Sequence, residues 1–416
     1  MAILKTNRTG LKEILTVIPE NILSELSITT RVDYCTKVLY GKHLFYLLLY
    51  GLLKLDKVNQ RSLADLFSSP FFRTLFNIEG ERRLSHSSLS DRLSVIKVDY
   101  FRQIYESIYQ FMSNLYSEEE ISGFRLQRVD STVVTETTKK IEAGLHCGYT
   151  KLSNKKMVKF SVSFDGLFPS SSNMHTEERY ASENNSLPEQ IYKVVSNNCR
   201  KSDGKEDLFI FDRGVCSAEK FCFLSEDKVL FVGRLQYNRS FFVVKDLLDD
   251  TVCREFSDGS VLLEDKIVHL YKKETVLGKS GKEVNKKVRV EKDLRIVIIQ
   301  PFGKNEKIIF VTNHFLLPAK DIASIYRKRW DIEVFFRFIK QELNFSNFIS
   351  LNSNGIEVVM YVTLIAAMLI VIYKKLNNVG YQTAKRRIGL DLERLIGAIL
   401  VLKSGGDLKK VGLDDP

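Results

Sequence analysis

No two of the six cysteines, Cys35, Cys147, Cys199, Cys216, Cys222 and Cys253, form a Cys-x-x-Cys pair, so the spacing of a cysteine metal site is missing. The opening stretch MAILKTNRTGLKEIL carries no long apolar core followed by a small-residue cleavage site, so no secretory leader is read from it. Free thiols in a reducing, cytoplasmic setting are the expectation that follows. His146, His175 and His269 share no ligand spacing, which makes them structural side chains rather than zinc ligands or general bases. Neither an internal repeat nor a low-complexity segment interrupts the chain. Long apolar runs are scarce too: only Ile356 to Tyr373, IEVVMYVTLIAAMLIVIY, comes near bilayer-spanning length. With Glu357 near its start and no companion segment, it reads as a core helix, because a helix apolar on all sides suits the centre of a large domain. No membrane partner is expected.

What remains is a long, basic chain. Its 416 residues suit two or three domains, and 44% hydrophobic residues can fill a sizeable core. Sixty-two Lys and Arg against 51 Asp and Glu give a net charge of +11. That excess fits a polyanion, nucleic acid before membrane, because neutralised phosphates release their counterions. A basic soluble protein would show the same balance, so charge alone does not choose.

Patterning divides the chain. Residues 1–120 read as helical, with Tyr34–Leu55, Ser62–Phe67 and Ser88–Ile96 as segments and Ser88 with Asp91 as a capping pair. Lys54, Lys57, Arg61, Arg73, Arg82 and Arg83 are among the basic residues there, which suggests a small DNA-end-binding domain or, equally, a bundle with a solvated basic face. Ser117-Glu118-Glu119-Glu120 and Ser122-Gly123 read as a linker. Strands follow at Leu126–Val129, Val158–Phe164, Leu208–Phe211 and Val229–Val232, with a helix at Asn185–Asn197, the alternation of an α/β domain. Residues 235–301 read as a β-rich insertion, with ten Lys and Arg against six Asp and Glu between Glu264 and Arg295. A strand at Lys307–Thr312 and one long helix at Ala319–Leu343 close the α/β region, 121–375, ahead of a helical carboxy-terminal region, 376–416.

Three acidic residues stand out by context. Asp130 and Asp212 are each read as ending a strand, ahead of Ser131-Thr132 and Arg213-Gly214, where an α/β sheet usually hosts ligands. Glu333 lies within the long helix. Converging carboxylates repel one another unless a hard cation sits between them, which points to Mg²⁺. Taken singly, such an Asp is more often a turn residue and such a Glu a solvated one. On the helix, Tyr326, Arg329, Glu333 and Lys340 are spaced by three, four and seven, an arc of roughly 60° at ~100° per residue. That stripe suits a metal ligand with phosphate contacts above and below. A salt-bridge ladder from Arg329 and Arg337 to Glu333, worth only ~0.3–0.5 kcal/mol per pair, explains the charges but not the tyrosine.

These motifs resemble a known family. Tyr326, Arg329, Glu333 and Lys340, with two, three and six residues between them, resemble the signature of bacterial insertion-sequence DDE transposases. VDST around Asp130 and FDRG around Asp212 look like the first and second catalytic motifs, and FVGRL, ending in Arg234-Leu235, like the strand entering the insertion. The resemblance covers about Phe124 to Tyr373. It implies a ribonuclease-H-like α/β core with a β-rich insertion, preceded here by the helical amino-terminal domain. It further implies Asp130, Asp212 and Glu333 as catalytic ligands of two Mg²⁺ ions, with Mn²⁺ able to substitute. Tyr326, Arg329, Lys340 and Arg234 would contact DNA, and Trp330, close to the signature stripe, would either stack on a DNA base or serve in packing. The partners implied are double-stranded DNA, as terminal inverted repeats and as target, and a second copy of the chain in a synaptic homodimer. The activity implied is end cleavage and strand transfer through a hairpin, near the nucleoid. A transposase-derived protein that binds without cutting, and a nuclease without strand transfer, are the alternatives.

Overall fold

The computed structural model of the chain describes residues 18, 20–76, 78, 83–116, 123–135, 140–146, 155–196, 204–248, 254–277 and 283–411. The opening stretch, Arg82, the linker residues 117–122 and Cys147, Cys199 and Cys253 lie outside them.

A mixed sheet organises the α/β region. Its strands are β1 (Arg125–Thr135), β2 (Leu145–His146), β3 (Lys156–Phe164), β4 (Pro169–His175), β5 (Asp207–Phe211) and β6 (Leu230–Leu235), then β7 (Phe241–Asp246), β8 (Val261–Leu277), β9 (Glu283–Arg289), β10 (Leu294–Gln300) and β11 (Ile308–Thr312). The order is β2-β3-β1-β5-β6-β11-β10-β8-β7, with β4 on β3 and β9 on β8. β3 runs antiparallel to β1 and β4, whereas β5 and β6 run parallel to β1 and β5. The strands between 235 and 301 extend this same sheet, because β10 bonds to both β8 and β11, and β11 to β6.

Strand alternation explains the two faces. Val129, Phe209, Phe211 and Phe231 point to one side, where Leu187 and Ile191 of α7 (Glu183–Ser196) and Phe221 and Leu224 of α8 (Ala218–Glu226) cover them. Leu126, Leu208, Ile210 and Val232 point to the other, against Ile322, Ala323 and Ile325 of α9 (Ala319–Arg327). Next along that face, Phe335 of α10 (Trp330–Glu342) stacks on Phe164, centroids 4.9 Å apart.

Among the described residues, the helices before β1 are α1 (Glu20–Thr30), α2 (Gly41–Lys54), α3 (Gln60–Ser68), α4 (Pro70–Leu75), α5 (His86–Val95) and α6 (Val98–Leu115). They share one apolar core with α11 (Ser353–Asn377), α12 (Tyr381–Lys403) and the Val158, Phe160, Val162 and Phe164 side of β3. The run Ile356–Tyr373 lies inside α11, and its residues from Ile365 to Ile370 have no exposed surface. α11 is long and apolar enough to cross a membrane, but its all-round apolarity is matched by packing against α2, α5, α6 and α12. The cap of α5 differs from the expected pair: Ser85, not Ser88, is the N-cap, its hydroxyl accepting the Ser88 N–H at 3.0 Å.

Two sequence expectations are corrected at the site. The long helix is broken into α9 and α10 at Lys328-Arg329, where i→i+3 bonds from Lys328, Arg329, Asp331 and Ile332 tighten the turn. The Lys328 carbonyl, which accepts the Asp331 N–H, also accepts from the Arg128 side chain, at 3.2 Å. Asp130, in turn, does not end its strand. β1 runs on to Thr135 as the partner of β3, and what ends near Asp130 is only the pairing of β1 with β5.

Candidate active site

The parallel register of β1 and β5 stops at Arg128↔Ile210. Asp130 and Asp212 each lie two residues past that pair, so they flank the opening where the strands part. Sharing parity with Arg128 and Ile210, they turn toward the face that carries α9 and α10. The broken helix meets them there. From α9, the Tyr326 hydroxyl donates to Asp212 Oδ1 at 2.7 Å. From the junction, Arg329 Nη1 lies 3.6 Å from Asp130 Oδ2 while Nη2 donates to Glu333. Arg329 Nε is buried without a partner.

The two aspartates differ in environment. Burial, with repulsion from Glu183 and Asp212, pushes the Asp130 carboxyl up to about 6, despite the Ser131 N–H and the Arg329 charge. Burial also acts on Asp212. The hydrogen bonds from Tyr326 and the Arg213 backbone, with the charges of Arg329 and Arg234, outweigh it and hold that carboxyl below its ordinary range. Burial and the neighbouring Asp212 raise the Tyr326 phenol, so it remains a donor.

The other expected residues fall at varying distances. Arg234, on β6 beside β5, acts on Asp212 through its charge. Tyr326 is 8% exposed and engaged by Asp212, and Arg329 is engaged by two acids, so the first half of the signature stripe faces carboxylates. Lys340, near the end of α10, donates to the Val133 carbonyl at 3.3 Å. Trp330 is half exposed, with Arg337 6.0 Å from its ring. With Phe302, Lys304, Arg327 and Arg329 it lines a groove of about 530 Å³. The histidines are held elsewhere, His175 by Ser161 and His269 by Asp293.

Two contributors escaped the motif reading. Arg128 is fully buried and bonds to Asp331 at 3.1 Å, to the Lys328 carbonyl and to the Leu126 carbonyl, tying β1 to the α9–α10 junction. Gly166, at φ +100, leaves the room this guanidinium fills, since a Cβ there would sit 2.9 Å from Nη1. Its sequence signal is a lone arginine at an inward position of the strand RLQRVD. The second is Glu183, whose Oε1 accepts from Ser131 Oγ at 3.1 Å.

Among the described residues no three His, Cys, Asp or Glu side chains converge closely enough to hold a metal ion, and Glu333 is paired with Arg329. The donor chemistry fits a hard divalent cation. The groups are all carboxylate oxygens, and the buried, raised Asp130 marks a place short of positive charge.

Residues 123–369 match the family model described as the transposase DDE domain. The match spans more than half of the chain, which therefore belongs to that family. The Sinorhizobium fredii protein described as transposase y4zB is 29% identical over 171 residues, 41% of this chain and 44% of that protein. The Geobacillus stearothermophilus protein described as a transposase for insertion sequence element IS5377 is 35% identical over 85 residues, 20% of this chain and 22% of that one. The chain thus aligns with less than half the length of either curated relative. The cryo-EM structure of a piggyBac transposase synaptic complex with hairpin DNA aligns with a TM-score of 0.45 and 11% identity, over 96% of this chain and 81% of that one.

Proposed function

We propose that the protein is an insertion-sequence transposase of the Tyr-Arg-Glu-Lys subgroup that cleaves transposon ends and transfers them to target DNA by phosphoryl transfer. The observation that carries this reading is the pairing of Asp130 and Asp212 at the parting of two parallel strands, with the Tyr326–Arg329–Glu333 junction folded over them. Antiparallel β4-β3-β1 followed by parallel β5 and β6 supports a ribonuclease-H-like core. Binding of the DNA ends by the helices before β1, the homodimer, the hairpin intermediate and the cytoplasmic setting belong to the same proposal.

Asp130, Asp212 and Glu333 are the residues that would hold Mg²⁺ or Mn²⁺. Such ions supply Lewis-acid activation of the attacking hydroxyl and charge relief at the leaving oxygen. The chain's own groups do the rest. Tyr326 keeps Asp212 ionised and oriented. Arg329 is shared between Asp130 and Glu333 and, with Glu333 turned to a metal ion, would be free to face a phosphate oxygen. Lys340 and Trp330 lie where a DNA backbone or base passing along α10 would meet them.

A labelled duplex carrying the DNA that flanks the gene, incubated with Mg²⁺, tests this. Wild type nicks and joins it. Asp130→Asn, Asp212→Asn and Glu333→Gln each lose about a thousandfold or more in nicking, ~4 kcal/mol of transition-state stabilisation, with end binding kept. Near-normal nicking by any one of them removes that residue from the site. The engagement of Glu333 by Arg329 favours a second reading, a DNA-binding protein that does not cut, for which binding without nicking is the expected result. Nicking without joining would identify a nuclease instead.

A further inference from the structure

Among the described residues, no β1–β5 pairing joins the backbone at Asp130 to that at Asp212. The β1–β5 ladder ends two residues before each, and past that point β1 follows β3. Two carboxylates placed on parting strands need another element to set their spacing.

The first turn of α7 spans that gap. Glu183 Oε1 accepts from Ser131 Oγ at 3.1 Å, and the Ser131 N–H donates to Asp130 Oδ1 at 2.8 Å. The same carboxylate lies against the turn after Asp212, where a Cβ on Gly214 would overlap it. Asn184, the next residue, accepts through Oδ1 from the Cys216 N–H at 2.8 Å and the Ser217 N–H at 3.0 Å, in the segment that carries the chain from Asp212 into α8. Behind both, Lys159 of β3 fixes the approach to the helix by donating to the Ala181 carbonyl at 2.5 Å.

We infer that Glu183 and Asn184 are positioning residues that clamp the segment after Asp130 to the turn after Asp212 and so set the separation of the two proposed metal ligands. Glu183 acts on Asp130 through Ser131, and Asn184 acts on Asp212 through the backbone of its turn. A Cβ on Gly214 would push the clamping carboxylate aside. The inference rests on the metal-dependent reading above and adds to it a source of precision outside the signature residues. Groups that orient metal-ligating carboxylates typically cost ~10–100-fold in metal affinity when removed.

Mn²⁺ binding to the full-length protein, followed by electron paramagnetic resonance without DNA, tests the clamp beside thermal melts. Glu183→Ala and Asn184→Ala are expected to weaken Mn²⁺ binding by about tenfold or more. Glu183→Gln, which can still accept from Ser131, is expected to stay within about threefold of wild type. A merely structural role would lower the melting temperature of the alanine variants and leave the Mn²⁺ affinity of the folded protein unchanged, which overturns the inference. Glu183→Gln as weak as Glu183→Ala also overturns it, since the charge rather than the clamp would then be what matters. Where Glu183→Ala does not fold, Asn184→Ala decides alone. Asp130→Asn separates the levels. If it binds Mn²⁺ like wild type, the metal reading fails and the clamp with it. If it loses Mn²⁺ while both alanine variants keep it, only the clamp fails.

Discussion

Two largely buried arginines, one on the sheet and one at the α9–α10 junction, are satisfied in opposite ways. Arg295 of β10 meets both oxygens of Asp265 on β8, at 2.8 and 2.6 Å, and spends Nη1 on the Phe315 and Leu317 carbonyls at 3.0 and 2.6 Å. Arginine and aspartate are 6% and 8% exposed at the side chain, and the geometry is bidentate. Arg329 is divided between Glu333 and a longer 3.6 Å contact to Asp130, and its Nε has no partner. The first arrangement is closed: it ties the extending strands to the segment that leads into α9. The second is open, with one cation spread over two acids and Asp130 still short of compensation. Buried charge held in saturated geometry fixes architecture, whereas charge held in unsaturated geometry leaves room for a further ion.

The comparison is broken most severely by removing one partner of the closed pair. Asp265→Ala leaves Arg295 buried and uncompensated, and the expected loss is ~3–5 kcal/mol in chemical denaturation. Replacing both partners with apolar residues of similar volume should restore most of it. A loss under about 1 kcal/mol for Asp265→Ala would show that this pair is not the closed one described here.

The open site should respond with the opposite sign. Asp130 is raised from 3.8 to about 6 in the folded chain, so the folded state binds its proton more tightly than the unfolded state does. Stability therefore falls as pH rises from about 4 to 6, and the penalty is fully present above about 6. In metal-free buffer, Asp130→Asn should stabilise the protein above pH 6, by at most ~3 kcal/mol, with the gain vanishing near pH 4. Mn²⁺ should raise the melting temperature of wild type more than that of the variant. A destabilised Asp130→Asn at pH 7.5 would contradict the charge deficit. Arg329→Ala should follow with a smaller loss, ~1.5–3 kcal/mol, the range of a hydrogen bond to a charged group. A loss equal to that of Asp265→Ala would erase the distinction between the two arginines.

Legibility from sequence followed the same divide. The apolar core spoke through pattern: α11 is recognisable because nothing polar interrupts IEVVMYVTLIAAMLIVIY, and β5 because LFIF runs straight into Asp212. Elements defined by tertiary partners did not. β4, PSSSNMH, is a strand only because its serines are buried along β3, with Ser171 and Ser172 3% and 1% exposed. The apolar runs Val261–Leu263 and Ile267–Tyr271 look like separate pieces in the sequence, parted by Glu264, Asp265 and Lys266, yet both lie in β8, whose pairing continues past those residues with Asp265 bonded to Arg295. No glycine or proline marks the break at Lys328-Arg329, and the side chain that bonds to it, Arg128, lies two hundred residues earlier. Asp130 and Asp212 were legible as a pair of motifs. The first turn of α7 was not, because Glu-Asn-Asn before a helix looks like an ordinary start.

The smallest expected effect concerns Lys340, and it decides whether the signature stripe reaches DNA at its far end. Lys340 is only half exposed, and burial lowers its pKa. Its side-chain bond to the Val133 carbonyl is long at 3.3 Å, and Val133 itself is 40% exposed. A brace and a phosphate contact both remain open to an ammonium so placed, because three donors serve more than one acceptor. The two roles separate in salt. If Lys340 meets a phosphate, Lys340→Ala should reduce the slope of log affinity against log salt by about 0.9, the share of one released contact on duplex DNA, with little change in melting temperature. If it only braces the end of β1, the slope should stay and the melt should move, by no more than a fraction of a kcal/mol for so exposed a bond, ~0.5. Titrations at several salt concentrations on the folded variant, beside melts in the same buffer, read both quantities. An unchanged slope with a lowered melting temperature would confine the cationic part of the stripe to Arg329, and the phosphate grip proposed for α10 would have to come from elsewhere on the surface.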